Sequence, residues 1–290
     1  MKLIGIHRDP LYSPAQHGEN DRMILELTAD RLRRRGCRVE LIQERQVGRV
    51  EIEHEVVFSM CQGPDAVNAL VALEERGRLV VNSPLAARRC FRAEMLRVLG
   101  PHWNGVAPAM MVPTDPGARP DPALIRTGPC WVKRGDVHAT EPGDVVRVES
   151  SGEFVAALDG MHGRGVGQAL VQRHVEGTVV KFYGVLGNGF FRFYCERDRK
   201  VAPVAFWSAR PLVERLVREV GLLVYGGDAV LTDQGQVAVI DINDWPSFAC
   251  FREEAADAIA EAIYLRAAEH LGGRLSRRLV VGGFPDRSHG

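Results

Sequence analysis

The sequence predicts a fold that is α/β in its first part and α+β in the rest, and two patterns support this. Up to about residue 84, short apolar runs typical of strands alternate with amphipathic runs typical of helices. Such alternation indicates a parallel sheet covered by helices. Beyond the Pro-rich segment 116–122, strand-like runs follow one another in hairpin-like pairs. We therefore expect an N-terminal α/β domain and a larger α+β domain.

The N-terminal domain is predicted to hold a four-stranded parallel sheet. Its strands are expected at 2–7, 38–42, 56–60 and 79–81, with helices at 21–35 and 65–76. In such sheets, ligands bind beyond the carboxyl ends of the strands. His7–Arg8, Cys61–Gln62 and Asn82–Ser83 follow three of those ends, so we expect them on one rim. Taken alone, each pair is more typical of an ordinary polar loop.

The remaining chain is predicted to form one larger domain. Helices are expected at 85–99, 152–160, 211–219 and 251–271, and extended segments at 107–114, 131–134, 144–148, 170–174, 179–186, 190–196, 227–231 and 237–243. Residues 135–143 have the composition of a polar loop. We place domain boundaries at 1–84 and 85–278 and expect a flexible tail at 279–290.

The last two predicted strands form a hairpin that carries acidic side chains. Strict alternation puts four residues on one face, namely Val237, Val239, Asp241 and Asn243. If the turn is centred between Gln234 and Gly235, Asp228 lies directly opposite Asp241. Like charges in that position destabilise a sheet, and oxygen ligands of this kind suit Mg²⁺ held together with phosphates. A lone strand Asp is more often an edge or turn residue, and a one-residue slip would turn Asp228 to the other face.

Composition narrows the class of protein. The formal net charge of zero favours neither nucleic acid nor an acidic membrane as a partner. No apolar run is long enough to span a bilayer, and the apolar part of the N-terminus is too short for a signal peptide. The six cysteines form no CxxC pair, which indicates reduced thiols. We expect a cytoplasmic protein without a nucleic-acid or membrane partner.

Lysine is rare in this chain, and its positions are informative. Of the 37 basic residues only four are Lys, and Lys133 and Lys181 lie within apolar strand-like runs. A buried, unpaired lysine in a strand is costly, so a polyphosphate ligand is a reasonable partner for Lys133. The alternative is that Lys133 is an exposed strand residue, which is the usual case for lysine.

Several segments, in their order along the chain, resemble the ATP-grasp superfamily. They are VNSPLAARRCFRAEML, WVKRGDVHAT, LVQRHVEG, TVVKFYGVLG, GGDAVL and VIDINDWPSF, and the resemblance runs from about residue 80 to 265. It implies an ATP-grasp fold, in which two α+β subdomains clamp ATP, preceded by a Rossmann-like pre-grasp domain. It also implies ATP and Mg²⁺, or Mn²⁺, as cofactors, and homodimers are common in the family.

The resemblance implies a role for each matching residue. Arg92 stands where a lysine usually contacts the α-phosphate, and Lys133 matches the phosphate-contacting lysine. The hinge that reaches adenine and ribose maps to Gln172, Arg173, His174, Val175 and Glu176, with His174 equally typical of a packed hinge residue. Asp228, Asp241 and Asn243 take the metal-ligand positions. The 135–143 loop is expected to close over the triphosphate.

The acceptor side of the site is expected to be cationic. Lys181 falls where many members carry a basic residue that faces the triphosphate or the acceptor, and Arg192 on the neighbouring strand is a second candidate. Arg210 would neutralise an anionic substrate, or is an ordinary solvated loop residue. These three residues are the predicted catalytic set.

Three functions follow from this resemblance. The main one is a Mg-ATP-dependent ligase that joins a carboxylate to an amine, or a thiol, through an acyl phosphate. The alternative is a small-molecule kinase that phosphorylates a hydroxyl acceptor, because the Asp-Ile-Asn motif followed by an aromatic residue and a Pro is similar to that of the inositol-phosphate kinase branch. The third is a nucleotide-binding scaffold without turnover.

Overall fold

Three four-stranded sheets organise the part of the chain that the computed structural model describes, which is residues 1–13, 18–100, 104–118, 125–136, 141–195 and 204–281. The expected α/β and α+β architecture is confirmed. The middle of the predicted 135–143 loop and most of the predicted tail lie outside the described residues. No helix in the described ranges has the length and apolar character needed to cross a membrane.

The first sheet is parallel, as the alternation of strands and helices predicts. Its strands lie in the order β2-β1-β3-β4, and they are β1 (Lys2–His7), β2 (Arg38–Gln43), β3 (Val56–Ser59) and β4 (Leu79–Val81), with helices α1 (Gly18–Arg34) and α2 (Pro64–Glu75). All of β3 is buried, because a parallel sheet is covered on both faces. A Cβ on Gly5 would lie 2.5 Å from the Phe58 ring, so only glycine fits there.

The predicted helix at 85–99 is wrong as a single element. The chain forms α3 (Pro84–Arg89) and then α4 (Arg92–Leu99), because Phe91 is extended and serves as the N-cap of the second helix. The break lets the first residue of α4, Arg92, reach the carboxylate of Asp241 on a distant strand. A tertiary ion pair therefore accompanies the interruption of a sequence that otherwise has helical periodicity.

The second sheet is antiparallel and has a helix on one face. Its order is β5-β8-β6-β7, with β5 (Ala109–Pro113), β6 (Cys130–Arg134), β7 (Val145–Val148) and β8 (Gln168–Arg173), and α5 (Ser151–Gly163) follows β7. The Ser150 side chain caps α5 by accepting a hydrogen bond from the Glu153 amide. Phe154, Leu158 and Met161 pack from this helix onto the sheet.

The third sheet contains the acidic hairpin. Its order is β10-β9-β11-β12, with β9 (Thr178–Val185), β10 (Phe191–Cys195), β11 (Val224–Leu231) and β12 (Val237–Asp244), and its helix is α6 (Arg210–Val220). The last helix, α7 (Arg252–Val281), packs against α1. It continues ten residues beyond the predicted end at 271 and into the predicted tail, whose residues from 282 onward are not described.

The predicted register of the hairpin is right at the acidic pair and wrong at the turn. Asp228 lies opposite Asp241, as predicted. Near the turn, Leu231 pairs with Val237, one residue away from the predicted pairing, and a β-bulge absorbs the difference. Ala229 pairs with Val239, so Ile240 is the extra residue.

The bulge also changes which side chains share a face. Val239 is buried in the core beneath the sheet with Ile242, whereas Asp241 lies on the opposite side. The prediction that Val239 and Asp241 share one face is therefore wrong. The cause lies in tertiary pairing, since Val239 also exchanges backbone hydrogen bonds with Gly105 and Ala107 along the outer edge of β12.

Two buried polar side chains hold the first sheet against the third. Asn82, at the end of β4, accepts hydrogen bonds from the amides of Leu223 and Val224 and donates to the carbonyl of Val224 and the carboxylate of Asp244. Arg8, at the end of β1, donates to the carbonyls of Asp244 and Trp245 at 3.2 Å. These residues follow the strand ends at which the sequence predicted a functional rim.

We expect Asn82→Ala to destabilise the protein by about 3 kcal/mol, because the change leaves two buried amides, a carbonyl and a carboxylate without this partner. Urea unfolding followed by circular dichroism measures the loss. Asn68→Ala, on the exposed face of α2, is the matched control and should change the free energy of unfolding by less than about 0.5 kcal/mol. Equal effects of the two changes would contradict the conclusion that the hydrogen bonds of Asn82 hold the first sheet against the third.

Candidate active site

A cavity of about 320 Å³ lies between the second and third sheets. The second sheet contributes Trp131 and Lys133 from β6 and Gln172 from β8. The third sheet contributes Asp228 and Asp241. Alternation along β6 places Trp131 on the same side as Lys133, a signal in the sequence that could have identified this aromatic residue. The cavity thus gathers residues that are far apart in the chain.

Lys133 is buried at the back of this cavity. Its Nζ donates to Gln172 Oε1 at 2.7 Å and to the carbonyl of Ile240 at 3.2 Å. Ile240 is the bulge residue of β12, so the bulge supplies this lysine with an acceptor. Burial lowers the pKa of Lys133, and the nearby carboxylate of Asp241 acts in the opposite direction. Such a lysine gains much from an anionic ligand that enters the cavity.

The two aspartates lie in one row of side chains across the third sheet. Tyr194, Lys181, Asp228 and Asp241 follow one another on β10, β9, β11 and β12. Lys181 Nζ is 2.9 Å from Asp228 Oδ1. Two residues further along β12, Asn243 lies opposite Gly226, and the Pro246 ring fills the space beside this glycine, since a Cβ there would lie 2.6 Å from Pro246 Cγ.

The donor atoms in this row suit a hard divalent cation. Asp228 and Asp241 offer carboxylate oxygens from opposed positions, and Asn243 adds an amide oxygen two residues further along β12. Oxygen ligands in this number match Mg²⁺ or Mn²⁺ that completes its coordination with phosphates and water. Because no group of three His, Cys, Asp or Glu side chains among the described residues could hold a metal alone, the amide and a ligand's own oxygens would be needed.

Arg92 closes the cavity from α4. Its guanidinium is buried, with Nη2 3.0 Å from Asp241 Oδ2 and Nη1 3.1 Å from the carbonyl of Arg134. Within the described residues its Nε has no hydrogen-bond partner. Arg92 therefore lies beside the candidate metal ligand, in reach of the cavity where the sequence predicted a phosphate contact.

The predicted hinge links the second sheet to the third. Trp131 Nε1 donates to His174 Nδ1 at 3.0 Å, and Glu176 lies 3.0 Å from the other ring nitrogen. The backbone amides of Arg173 and His174 donate to Pro108 and Pro129, and the Arg173 side chain binds Thr127. The amides of Arg173 and His174 are thus engaged within the fold, and the next residue, Val175, also lines the cavity.

The remaining predicted catalytic residues are not brought together. Lys181 joins the acidic row, but Arg192 binds Glu254 of α7 and lies over the Phe190 ring. Arg210 binds Glu214 in its own helix. Among the described residues that line the cavity, neither Arg192 nor Arg210 is present. Their predicted role at an acceptor stays a prediction.

Asp244 is a buried acid beside the site that sequence reasoning missed. It ends β12, its Oδ1 accepts a hydrogen bond from Asn82 at 2.5 Å, and its Oδ2 has no partner within the described residues. Burial raises the pKa of this carboxyl from an ordinary 3.8 to about 6, against the opposing effects of Asn82 and Arg8. Its neighbours come from β1 and β4, so no local pattern indicates it.

Comparison with solved structures identifies the fold. A D-alanine–D-alanine ligase from Bacillus anthracis, complexed with ATP, has a TM-score of 0.71 at 12% sequence identity, covering 93% of this chain and 99% of that one. A RimK domain ATP-grasp protein from Sphaerobacter thermophilus has a TM-score of 0.66 at 20% identity, covering 90% and 99%. The D-cycloserine synthetase DcsG has a TM-score of 0.63 at 15% identity, covering 91% and 100%.

The chain has the ATP-grasp fold, as the resemblance in its sequence predicted. These three structures are described as a ligase, an ATP-grasp domain protein and a synthetase, and at these identities the likeness concerns the fold. No family model matches the sequence, and no curated protein sequence matches it.

The raised pKa of Asp244 predicts a pH-dependent stability. The folded state holds the proton more tightly than the unfolded state, so this carboxyl stabilises the fold fully below about pH 4 and loses its contribution as the pH rises through 6. Asp244→Asn cannot titrate at this position. We expect its free energy of unfolding, relative to the unaltered protein, to rise by about 2 kcal/mol between pH 4.5 and 7.5. Urea unfolding at several pH values measures the difference, and a constant difference would refute the prediction.

Proposed function

We propose that this protein is an ATP-dependent ligase that activates a carboxylate as an acyl phosphate and joins it to an amine or a thiol. ATP would occupy the cavity between the second and third sheets, with its base towards Val175 and its triphosphate towards the acidic row. Asp228, Asp241 and Asn243 would hold Mg²⁺ or Mn²⁺. The acceptor would be a small molecule.

One observation carries this proposal. The cavity contains a buried cation, Lys133, beside two opposed carboxylates, Asp228 and Asp241. A purely structural core would replace these groups by apolar residues, because buried charges cost free energy unless they are well paired. A polyphosphate with a divalent cation satisfies both signs of charge at once, since its oxygens meet the lysine and its metal meets the carboxylates.

In the proposed reaction the protein positions groups and stabilises charge. The substrate carboxylate attacks the γ-phosphorus of ATP, the bond to the β-phosphate oxygen breaks, and ADP and an acyl phosphate form. The amine then attacks the acyl carbon, phosphate leaves, and the amine proton passes to solvent or to a base. Lys133, Lys181 and Arg92 offset the charge that develops on the phosphoryl oxygens. The metal that Asp228, Asp241 and Asn243 would hold would supply positive charge beside the phosphate oxygens.

The cations favour a ligase over the alternative kinase. A phosphorylated polyol acceptor needs several cations turned towards the metal. Arg8 binds Asp21 at 2.8 Å, and Arg192 and Arg210 bind glutamates away from the cavity. Of the arginines proposed for such a cluster, Arg92 alone adjoins the acidic row among the described residues. The kinase therefore becomes an outcome of the test.

The deciding measurement is ATP turnover with Mg²⁺ against a pooled set of small carboxylates, amines, thiols and polyols, with ADP, AMP and free phosphate read separately. We expect ADP and an equal amount of free phosphate, and only when a carboxylate is present together with an amine or a thiol. ADP without free phosphate, with the phosphoryl group on a hydroxyl, would establish the kinase instead. If the protein binds nucleotide without turnover, the third function, a nucleotide-binding scaffold, would be supported instead.

Asp241→Asn should abolish turnover, with a loss of about 10³-fold or more, because the amide cannot offer a carboxylate to the metal. Asparagine can still accept a hydrogen bond from Arg92, so this variant tests chemistry more cleanly than Asp241→Ala, which leaves a buried arginine without its anion. Glu254→Gln, which alters an exposed ion pair with Arg192, is the matched control and should keep its activity. Full activity in Asp241→Asn would contradict the metal assignment.

Lys133→Met should separate binding from stability. The change removes a buried charge and keeps a side chain of similar length, so the free energy of unfolding should shift by only about 1 kcal/mol. The affinity for an ATP analogue should fall about tenfold or more, because the phosphates lose a desolvated cation. Isothermal titration calorimetry and urea unfolding measure the two quantities. Unchanged nucleotide affinity would remove Lys133 from the proposed site.

A further inference from the structure

Each carboxylate of the candidate metal site is already paired with a cation from another element. Arg92 reaches Asp241 from the start of α4, with Nη2 3.0 Å from Oδ2. Lys181 reaches Asp228 from β9, with Nζ 2.9 Å from Oδ1. These contacts place two positive charges against the oxygen atoms that a metal would need.

The charges of this cluster discriminate between a free metal ion and a metal–nucleotide complex. Each acid faces one base, and the buried Lys133 lies beside them as a third basic side chain. A free divalent cation would have to displace both bases from their carboxylates while it faces three basic side chains. A metal carried by a triphosphate has a net negative charge, and its phosphate oxygens offer Arg92 and Lys181 new partners.

Lys181 and Arg92 can each exchange a carboxylate for a phosphate oxygen by a movement of the side chain. The Lys181 side chain is 29% exposed, so its flexible stem can move into the cavity. Arg92 is held at Nη1 by the carbonyl of Arg134, while its Nε has no partner among the described residues. The guanidinium can therefore turn about that tether and exchange Asp241 for a phosphate oxygen without losing every hydrogen bond.

We propose that Arg92 and Lys181 are exchangeable counterions that keep Asp241 and Asp228 closed to free divalent cations and release them only to a metal–nucleotide complex. This inference rests on the proposed function, because it requires a nucleotide in the cavity. Beyond the proposed function, the inference states that the site binds the metal–nucleotide complex in preference to the free metal ion. Arg92 and Lys181 thus determine the order in which the ligands arrive.

The test is a titration with Mn²⁺, whose free ion is counted by electron paramagnetic resonance. The unaltered protein should bind little Mn²⁺ alone and one Mn²⁺ per chain when a non-hydrolysable ATP analogue is present. In the double variant Arg92→Met and Lys181→Met, the two carboxylates lose these counterions, so free Mn²⁺ should bind about tenfold more tightly or better. The same variant should bind the Mn²⁺–analogue complex more weakly, because its phosphates lose two cations.

Two further variants show where the Mn²⁺ binds. Arg97→Met removes an exposed, ion-paired arginine from the same helix and should leave Mn²⁺ binding unchanged. Asp241→Asn, added to the double variant, should abolish the gain. If the double variant does not fold, Lys181→Met alone removes the lysine counterion of Asp228 at a partly exposed position and should still raise the affinity for free Mn²⁺.

The two ways of failing are distinguishable. If the unaltered protein binds free Mn²⁺ as tightly as the double variant does, the counterion proposal is wrong, while binding of the Mn²⁺–analogue complex would still support the proposed function. If the unaltered protein binds neither free Mn²⁺ nor the complex, the proposed function fails and the counterion proposal fails with it. A gain that survives Asp241→Asn would place the Mn²⁺ elsewhere and also overturn the proposal.

Discussion

The opposition of Asp228 and Asp241 across β11 and β12 is the constraint on which the site depends. Two carboxylates in directly paired positions repel each other, and the fold meets this with cations from three separate elements. Lys181 comes from the adjacent strand, Arg92 from the first turn of α4, and Lys133 from the second sheet. Because α4 begins at Arg92, the guanidinium of this residue reaches β12. The acidic pair therefore links the hairpin, the break between α3 and α4, and the packing of the two sheets.

Sequence reasoning reached this pair because two departures from regularity cancel. The pairing next to the turn is one residue off the assumed register, and the extra residue Ile240 restores that register at Asp228. Nothing local indicates the bulge, since Ile240 is an ordinary β-branched strand residue. Its causes are tertiary, because Val239 pairs with a segment outside the hairpin and the Ile240 carbonyl accepts from Lys133. Alternation alone therefore misassigned the face of Val239.

The regular elements were predictable and the ties between them were not. Apolar periodicity located the strands of all three sheets, because the spacing of apolar residues within each strand reflects the burial of that strand. Asn82 and Asp244 are separated by 162 residues, and Arg8 reaches Asp244 across 236. Their sequence neighbourhoods are those of ordinary strand ends. Contacts between residues so far apart in sequence depend on how the sheets pack together. Periodicity within a single element carries no information about that packing.

The pairing of arginines bears on how the acceptor is recognised. Arg8 binds Asp21 and the carbonyls of Asp244 and Trp245 at the end of β12, and Arg192 binds Glu254. Beside the acidic row, the half-buried ring of Tyr194 stacks on the buried ring of Tyr183, and their hydroxyls are 3.5 Å apart. An acceptor of the proposed ligase would therefore meet Lys181 and one aromatic ring, with Arg8 and Arg192 already paired elsewhere. In the proposed reaction these surroundings suit a carboxylate better than an acceptor that carries several phosphates.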